Sequence, residues 1–432
     1  MNRKNYPRSL LTLGLFSTLA GISTGVFAAG SYTPLMNVAD LGNAYSGGAA
    51  IAQDASTNYY NSAGLVRIPH QQLVVSATGV LAHVKYTGSA SAPGLGLPYN
   101  DSGSASTYSP ALIPAIHYAL PLSDALYFGM SVTEPYGVSY SYPDDSLVRY
   151  DIVSAKAQSL DLSPSLAYKV SDQFSVGVGI DALYMSVYQK YMVRTQPFTV
   201  NSDSIAKADL SGWGYGWHAG MLYQITPHTR VGLNYRSQIV NQLAGKSQLS
   251  VYNGPATGTT TSNNFQSRIT TPPTTSLSLY HDMTNRWAIM GTVDYTQWSV
   301  YKTVPVNNAA SLGSQTVSIS IPQYYHNAWR YAVGTSYQLT PRWLIRSGIS
   351  YEQGASNATY RDMLIPEGTH TDIAVGGHYQ ASTTVGLDIG YVHNFFKAVP
   401  MNYVSDYSHN SLNGSYRPAV DNLGLQLTWN IT

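Results

Sequence analysis

NLGLQLTWNIT, residues 422–432, alternates without a break. Leu423, Leu425, Leu427, Trp429 and Ile431 fall on one face, and Asn422, Gly424, Gln426, Thr428 and Asn430 on the other. Successive side chains of a strand point to opposite sides, so this period of two describes a strand with one apolar and one polar face. About ten such residues, with an aromatic near one end, suit a tilted membrane strand with lipid on one side and a polar lumen on the other.

The same pattern recurs upstream. In 125–132, Leu126, Phe128, Met130 and Val132 share a face. In 174–184, Phe174, Val176, Val178, Ile180, Ala182 and Tyr184 share one, and Asp181 points the other way. In 329–339, Trp329, Tyr331, Val333, Thr335, Tyr337 and Leu339 oppose Arg330 and Gln338. In 383–391, Val385, Leu387, Ile389 and Tyr391 oppose Asp388. A lipid-facing Arg or Lys near the bilayer midplane costs about 2–4 kcal/mol, and these charges all avoid the apolar face. Tight polar turns recur at 171–173, 226–228, 284–286 and 340–342. Longer polar stretches at 88–108, 196–210, 251–264, 305–320, 354–368 and 398–418 read as loops at the opposite rim. The count is about fourteen antiparallel strands between 71 and 432, with twelve or sixteen also compatible with the pattern.

Composition separates a membrane barrel from a soluble sandwich or propeller. Only 10% of the 432 residues are charged, against the usual quarter, while tyrosine reaches 36. The 23 basic and 22 acidic residues nearly cancel, which gives nucleic acid no electrostatic footprint. With no cysteine there are no disulfides and no thiolate metal site. Arg3, Lys4 and Arg8 precede an apolar run that ends with small residues at Val26 and Ala28, the pattern of an export signal over 1–28. An exported, tyrosine-rich barrel belongs in the outer membrane of a Gram-negative cell, with outer-membrane lipid around it. The remaining segments are expected to be 29–70, inside the barrel, and 71–432, the barrel itself.

GNAYSGGAAIAQDASTNYYNSAGL, residues 42–65, shows neither period. Directly after the signal, it resembles the N-terminal plug of the FadL/TodX family of outer-membrane channels for hydrophobic compounds. Further likeness runs in order through EPYGVSY at 134–140, DLSPSLAYKVSDQFSVGVG at 161–179, GWGYGWHAGMLYQITP at 212–227, VDYTQWSV at 293–300 and IPEGTHTDIAVGGHYQ at 365–380. One departure is Asn61-Ser62-Ala63, where the family usually has Asn-Pro-Ala.

The resemblance implies a fourteen-stranded barrel with a hatch in its lumen, acting as a monomer without cofactor or metal. Asp54, Asn58, Asn61, Ser62 and Ala63 would belong to the hatch. It implies passive uptake of hydrophobic molecules, typified by long-chain fatty acids, with sideways exit at a kinked strand. Glu134, Pro135 and Gly137 interrupt a well-patterned strand and are the expected opening, since proline cannot donate to a ladder and glycine marks bends. A buried carboxylate needs a partner. Lys190, Arg194 and His326 are the expected ligand contacts, with Leu183, Met185, Val187 and Trp213 as apolar lining. Aromatic hydrocarbons are the alternative cargo, and a loop-mediated adhesin or receptor the alternative role. No GxSxG, HExxH or convincing Ser/His spacing supports a hydrolase, and no catalytic residue is expected.

Overall fold

The computed structural model describes residues 34–92, 99–194, 203–252, 257–311, 314–365 and 367–431. The expected export signal, 1–28, and the first residues of the expected hatch, 29–33, lie outside the described residues. The wall is a single antiparallel sheet closed on itself in fourteen crossings. These are β1 (Gln71–Ala92), β2 (Tyr99–Pro121), β3 (Leu126–Thr133 and Gly137–Ser141), β4 (Ser154–Lys169), β5 (Phe174–Val193), β6 (Ser204–Thr226) and β7 (Thr229–Arg236 and Ile239–Val251). They continue with β8 (Gly258–Thr271 and Thr274–Thr284), β9 (Trp287–Thr296 and Thr303–Ala310), β10 (Thr316–Pro322 and Ala328–Gln338), β11 (Trp343–Glu352), β12 (His370–Gln380), β13 (Val385–Phe396 and Val399–Val404) and β14 (Ser411–Ile431). β14 pairs with β1 from Gln71↔Ile431 to Ser91↔Ser411, so the sheet has no free edge.

Alternation sorts the side chains as the sequence suggests. Leu423 is 55% exposed, Leu425 63% and Val333 63%, while their even-numbered neighbours are buried. So many bare aliphatic side chains around one belt need a hydrocarbon solvent rather than water. The short turns all lie at one rim. At the other rim most of the polar stretches expected as loops are strand instead. Residues 88–92, 99–108, 258–264 and 411–418, for example, continue their ladders. Beyond the lipid belt the outward positions turn polar, which hides the period from a hydropathy reading. The inward positions stay buried, as Ala90, Ala105, Thr107 and Tyr416 show. The segments 142–153 and 353–369 do leave the sheet, and they fold over the mouth.

Residues 34–70 occupy the lumen as short helical turns, among them Gly48–Ile51, Thr57–Tyr60 and Ser62–Arg67. Wall glycines make the room. Gly177 pairs with Gly220, Gly334 with Gly348, and Gly376 with Gly390. A Cβ on Gly348 would run into the Asn43 backbone, on Gly232 into the Ala49 carbonyl, and on Gly220 into the Asn61 side chain. The small-residue composition of 42–65 is the matching half of this fit: backbone lies against backbone.

Candidate functional site

The plug is fastened to the wall by polar groups. Arg230 donates to the Ala50 carbonyl (2.6 Å) and the Ile51 carbonyl (2.7 Å). Arg236 donates to the Tyr59 carbonyl (3.0 Å), Arg346 to Gln53 Oε1 (3.1 Å), and Arg330 to the Ala44 carbonyl. Gln426 accepts from Val38 N (2.9 Å) and donates to Asp54 Oδ2 (2.9 Å). A carbonyl only accepts, so the 2.7 Å contact to Met36 makes His117 Nε2 the donor and leaves Nδ1 to accept from Ser131 Oγ at 2.8 Å. Ser131 Oγ in turn accepts from Asn58 Nδ2 (2.8 Å), which also reaches the Ser163 carbonyl (2.9 Å). Asn61 Nδ2 donates to the Ala49 carbonyl (2.7 Å) and the Met221 carbonyl (2.9 Å). Asp54, Asn58, Asn61, Ser62 and Ala63 are all buried in this contact. Within the plug, burial and the charge of Asp54 push the Asp40 carboxyl up to about 7.

Ser62 is the first residue of its helical turn, and Asn61 before it is extended at φ −169°, ψ 100°. Asn61 Oδ1 accepts from Ala63 N (3.1 Å) and caps that turn. A first-turn position needs no N–H, and an extended residue is what precedes proline. The geometry of an Asn-Pro-Ala turn therefore survives without its proline.

Above the plug, toward the loop rim, the lumen holds a cavity of about 130 Å³. Met185, Val187, Leu210, Leu243, Phe265 and Trp298 are among its lining residues. Lys156 and Asp362 are the charged side chains on it. Asp362 comes from the segment 353–369, where it accepts from Gln323 Nε2 (3.2 Å) and Leu364 N (3.0 Å). Asp151, from 142–153, accepts from Met363 N (2.7 Å) and ties the two segments together. Burial, reinforced by the charge of Asp362, pushes Asp151 up to about 8.

Beside the cavity the wall is interrupted. β3 stops at Thr133 and resumes at Gly137, so Glu134, Pro135 and Tyr136 fall in the break. Regular pairing with β2 ends at Ile116↔Val132, and the upper piece of β3 keeps its ladder only with β4. Ser159 Oγ spans the break, accepting from Tyr136 N (2.9 Å) and donating to the Tyr136 carbonyl (2.7 Å). Pro114, opposite, has no N–H to offer. A recess of about 550 Å³ lies here, lined by Pro114, Met130, Val132, Glu134 and Leu160. Gln158 lines both the recess and the cavity, so the two adjoin.

The expected ligand residues are placed differently. Met185 and Val187 line the cavity, and Leu183 packs in the same buried cluster. Trp213 pairs with Tyr184 and faces outward, 43% exposed, because it shares the parity of the lipid face. Lys190 follows that same outward parity on β5 and is held by Asp144 at 2.7 Å. Arg194 donates to Tyr150 Oη (3.3 Å), and the His326 amide donates to the Ala355 carbonyl (2.9 Å). None of these three reaches the cavity lining. Lys156, which does, stands on β4 opposite Ser139 and Tyr188. It stands two residues before Gln158, which pairs with Gly137 at the upper edge of the interruption.

With this geometry in place, comparison with known proteins is direct. Residues 19–431 match the family described as outer membrane protein transport protein (OMPP1/FadL/TodX). The chain belongs to this family. It is an outer-membrane transport protein of the FadL type, not an enzyme. It is 27% identical over 407 residues to the long-chain fatty acid transport protein of Escherichia coli O6:H1, covering 87% of this chain and 89% of that one. It is 26% identical over 429 residues to outer membrane protein P1 of Haemophilus influenzae, with 90% of each covered. In fold this FadL-type barrel matches a Pseudomonas aeruginosa FadL homologue with a TM-score of 0.84 at 24% identity, covering 94% of this chain and 100% of that one. It matches the Pseudomonas putida toluene transporter TodX with a TM-score of 0.70 at 15% identity, covering 94% and 99%.

Proposed function

We propose that this transporter carries long-chain fatty acids passively, through the apolar cavity and out sideways at the β3 break. The observation that carries this reading is the one cation among the described lining residues, Lys156, on a largely apolar lining that adjoins a hole in the wall. A carboxylate leaving water needs a charged or hydrogen-bonding partner, whereas a hydrocarbon does not. The cavity alone is about 130 Å³. Small-molecule sites usually enclose about 300–1,000 Å³, so a long acyl chain needs the recess as well. Its head would rest at Lys156 and its tail would thread past Gln158 toward Met130 and Val132. Similarity to named fatty-acid transporters over nearly the whole length supports the same cargo.

Asp54, Asn58, Asn61, Ser62 and Ala63 form the hatch in this scheme. Asn58 is its lever, because it bonds to β3 and β4 below the break. Glu134, Pro135 and Gly137 form the exit. Nothing in the route needs an energy source, since the ligand moves down its own gradient into lipid.

One observation favours aromatic hydrocarbons instead. An apolar cavity of about 150 Å³ accommodates benzene, close to the size of this one without the recess. Oleate and toluene binding to the purified protein, with Lys156→Ala beside Lys190→Ala, separates the two. Fatty-acid carriage requires oleate affinity that falls in Lys156→Ala and holds in Lys190→Ala. Toluene binding with no oleate binding would transfer the assignment to hydrocarbons.

A further inference from the structure

The outside of the wall carries a row of cations that neither cargo nor barrel closure uses. Lys85 on β1 lies directly opposite Arg417 on β14. Lys397 falls between the pairings Phe395↔Ala419 and Val399↔Tyr416, beside Arg417 on the next strand. All three side chains are exposed on the outward face. Like charges opposite one another weaken a strand pair, so their juxtaposition needs a compensating partner. Among the described residues none of the three enters a salt bridge. Of the other outward cations, Lys190 is held by Asp144 at 2.7 Å, and Lys246 stands opposite Asp209 in the ladder.

The surroundings say what kind of anion fits. Toward the membrane, the next outward positions are Phe395 and His83, the latter stacked on Tyr108 at 4.3 Å. Below these come Leu81, Leu423 and Leu425, each more than half exposed. Away from the membrane, the outward positions become Thr87 and Ser415. The nearest outward acid on β14 is Asp421, four residues below Arg417, and it is already engaged by Tyr391 Oη (2.6 Å) and His393 Nδ1 (2.6 Å). The cations thus stand at the upper edge of the apolar belt, at the loop rim, with a greasy strip beneath them.

We propose that Lys85, Arg417 and Lys397 bind the phosphate of a phosphorylated glycolipid in the outer leaflet, with its acyl chains lying along Leu81, Leu423 and Leu425. Arginine's planar fork matches phosphate oxygens bidentately, and the two lysines add point charges on either side. The site is an external lipid contact, separate from the lumen.

Binding of bisphosphorylated lipid A to the detergent-purified protein, followed by native mass spectrometry, tests this. The triple variant Lys85→Gln, Arg417→Gln, Lys397→Gln should bind it about tenfold or more weakly, as expected for losing several charge-assisted hydrogen bonds. Lys207→Gln, an exposed cation on β6, should bind as wild type does. Retention of binding by the triple variant overturns the proposal. So does equal competition by inorganic phosphate, which would describe a free-anion site, or equal binding of phosphatidylglycerol, which would describe a general anionic surface. Heat-modified gel mobility checks that each barrel is folded. Should the triple variant fail to fold, the single variants Lys85→Gln and Lys397→Gln must each weaken binding, and unchanged binding in both overturns the proposal equally.

Discussion

The lower and upper halves of the lumen obey opposite rules. Below, backbone meets backbone: wall glycines receive the plug, and arginines and amides hold its carbonyls. Above, side chain meets side chain around an apolar cavity that holds few polar groups. A polar contact of many small bonds can be remade after a shift, provided each group finds a partner again. An apolar cavity offers no such bonds to a neutral ligand, so it binds by shape and by water excluded. Fastening below and solvation above are what a gated route for greasy cargo requires.

The most damaging change should be to the glycine cradle. Gly348→Leu places a side chain where the Asn43 backbone lies, and overpacking of this kind costs about 1–3 kcal/mol or more. Amide exchange in residues 41–51 should speed up by one to two orders of magnitude while β11 stays protected; unchanged plug exchange would mean the cradle is loose. Arg230→Met comes next, because it strips donors from the Ala50 and Ile51 carbonyls. Leaving buried carbonyls unsatisfied costs about 1–3 kcal/mol, so the plug should become protease-sensitive around 48–52 with the barrel intact. Lys156→Ala acts on the upper half alone. Oleate affinity should fall by about tenfold, the worth of one charge-assisted hydrogen bond, with plug protection unchanged.

These contrasts were unequally legible in the sequence. The wall was plain wherever lipid faces it, because an apolar solvent enforces period two: NLGLQLTWNIT and WRYAVGTSYQL needed no structure to interpret. Above the belt the outward face turns polar and the period fades, which is why 88–108 and 398–418 read as loops. The break at Glu134–Tyr136 was visible because proline and glycine disrupt a ladder by covalent chemistry. The cation proposed for the ligand's head was not. Lys190 is the more prominent basic residue by position, but its parity turns it outward and Asp144 takes it up. Lys156 has the same outward parity, yet it lines the cavity from a fully paired position just above the interruption. The plug's partners Arg230, Arg236 and Gln426 lie far away in sequence and meet it only on closure.

A smaller effect concerns the mouth. Asp151 has its folded pKa raised to about 8, by burial first and Asp362 second. A raised carboxyl favours the fold while protonated, so its contribution is complete below the unfolded value of about 3.9 and is lost as pH rises through the folded one. Proteolysis of 353–369 should therefore accelerate between about pH 4 and pH 8, and Asp151→Asn should flatten that dependence. The smallest effect is expected at Ser62→Pro. With Asn61 extended and Ser62 at the first helical position, the change should be neutral or stabilise by up to about 1 kcal/mol. A large loss of plug protection would show that the Ser62 amide has a partner to lose.

The central claim is that one ligand path joins the apolar cavity to the gap in the wall. Photolabelling with a long-chain fatty acid bearing a terminal diazirine reads that path directly. Labels should appear on the peptides containing Met185 and Val187 and on those containing Met130 and Val132, and should vanish from the second pair when Pro114→Val and Pro135→Val restore ladder donors. Labelling confined to the loop rim, or unaltered by closing the gap, would contradict a sideways route.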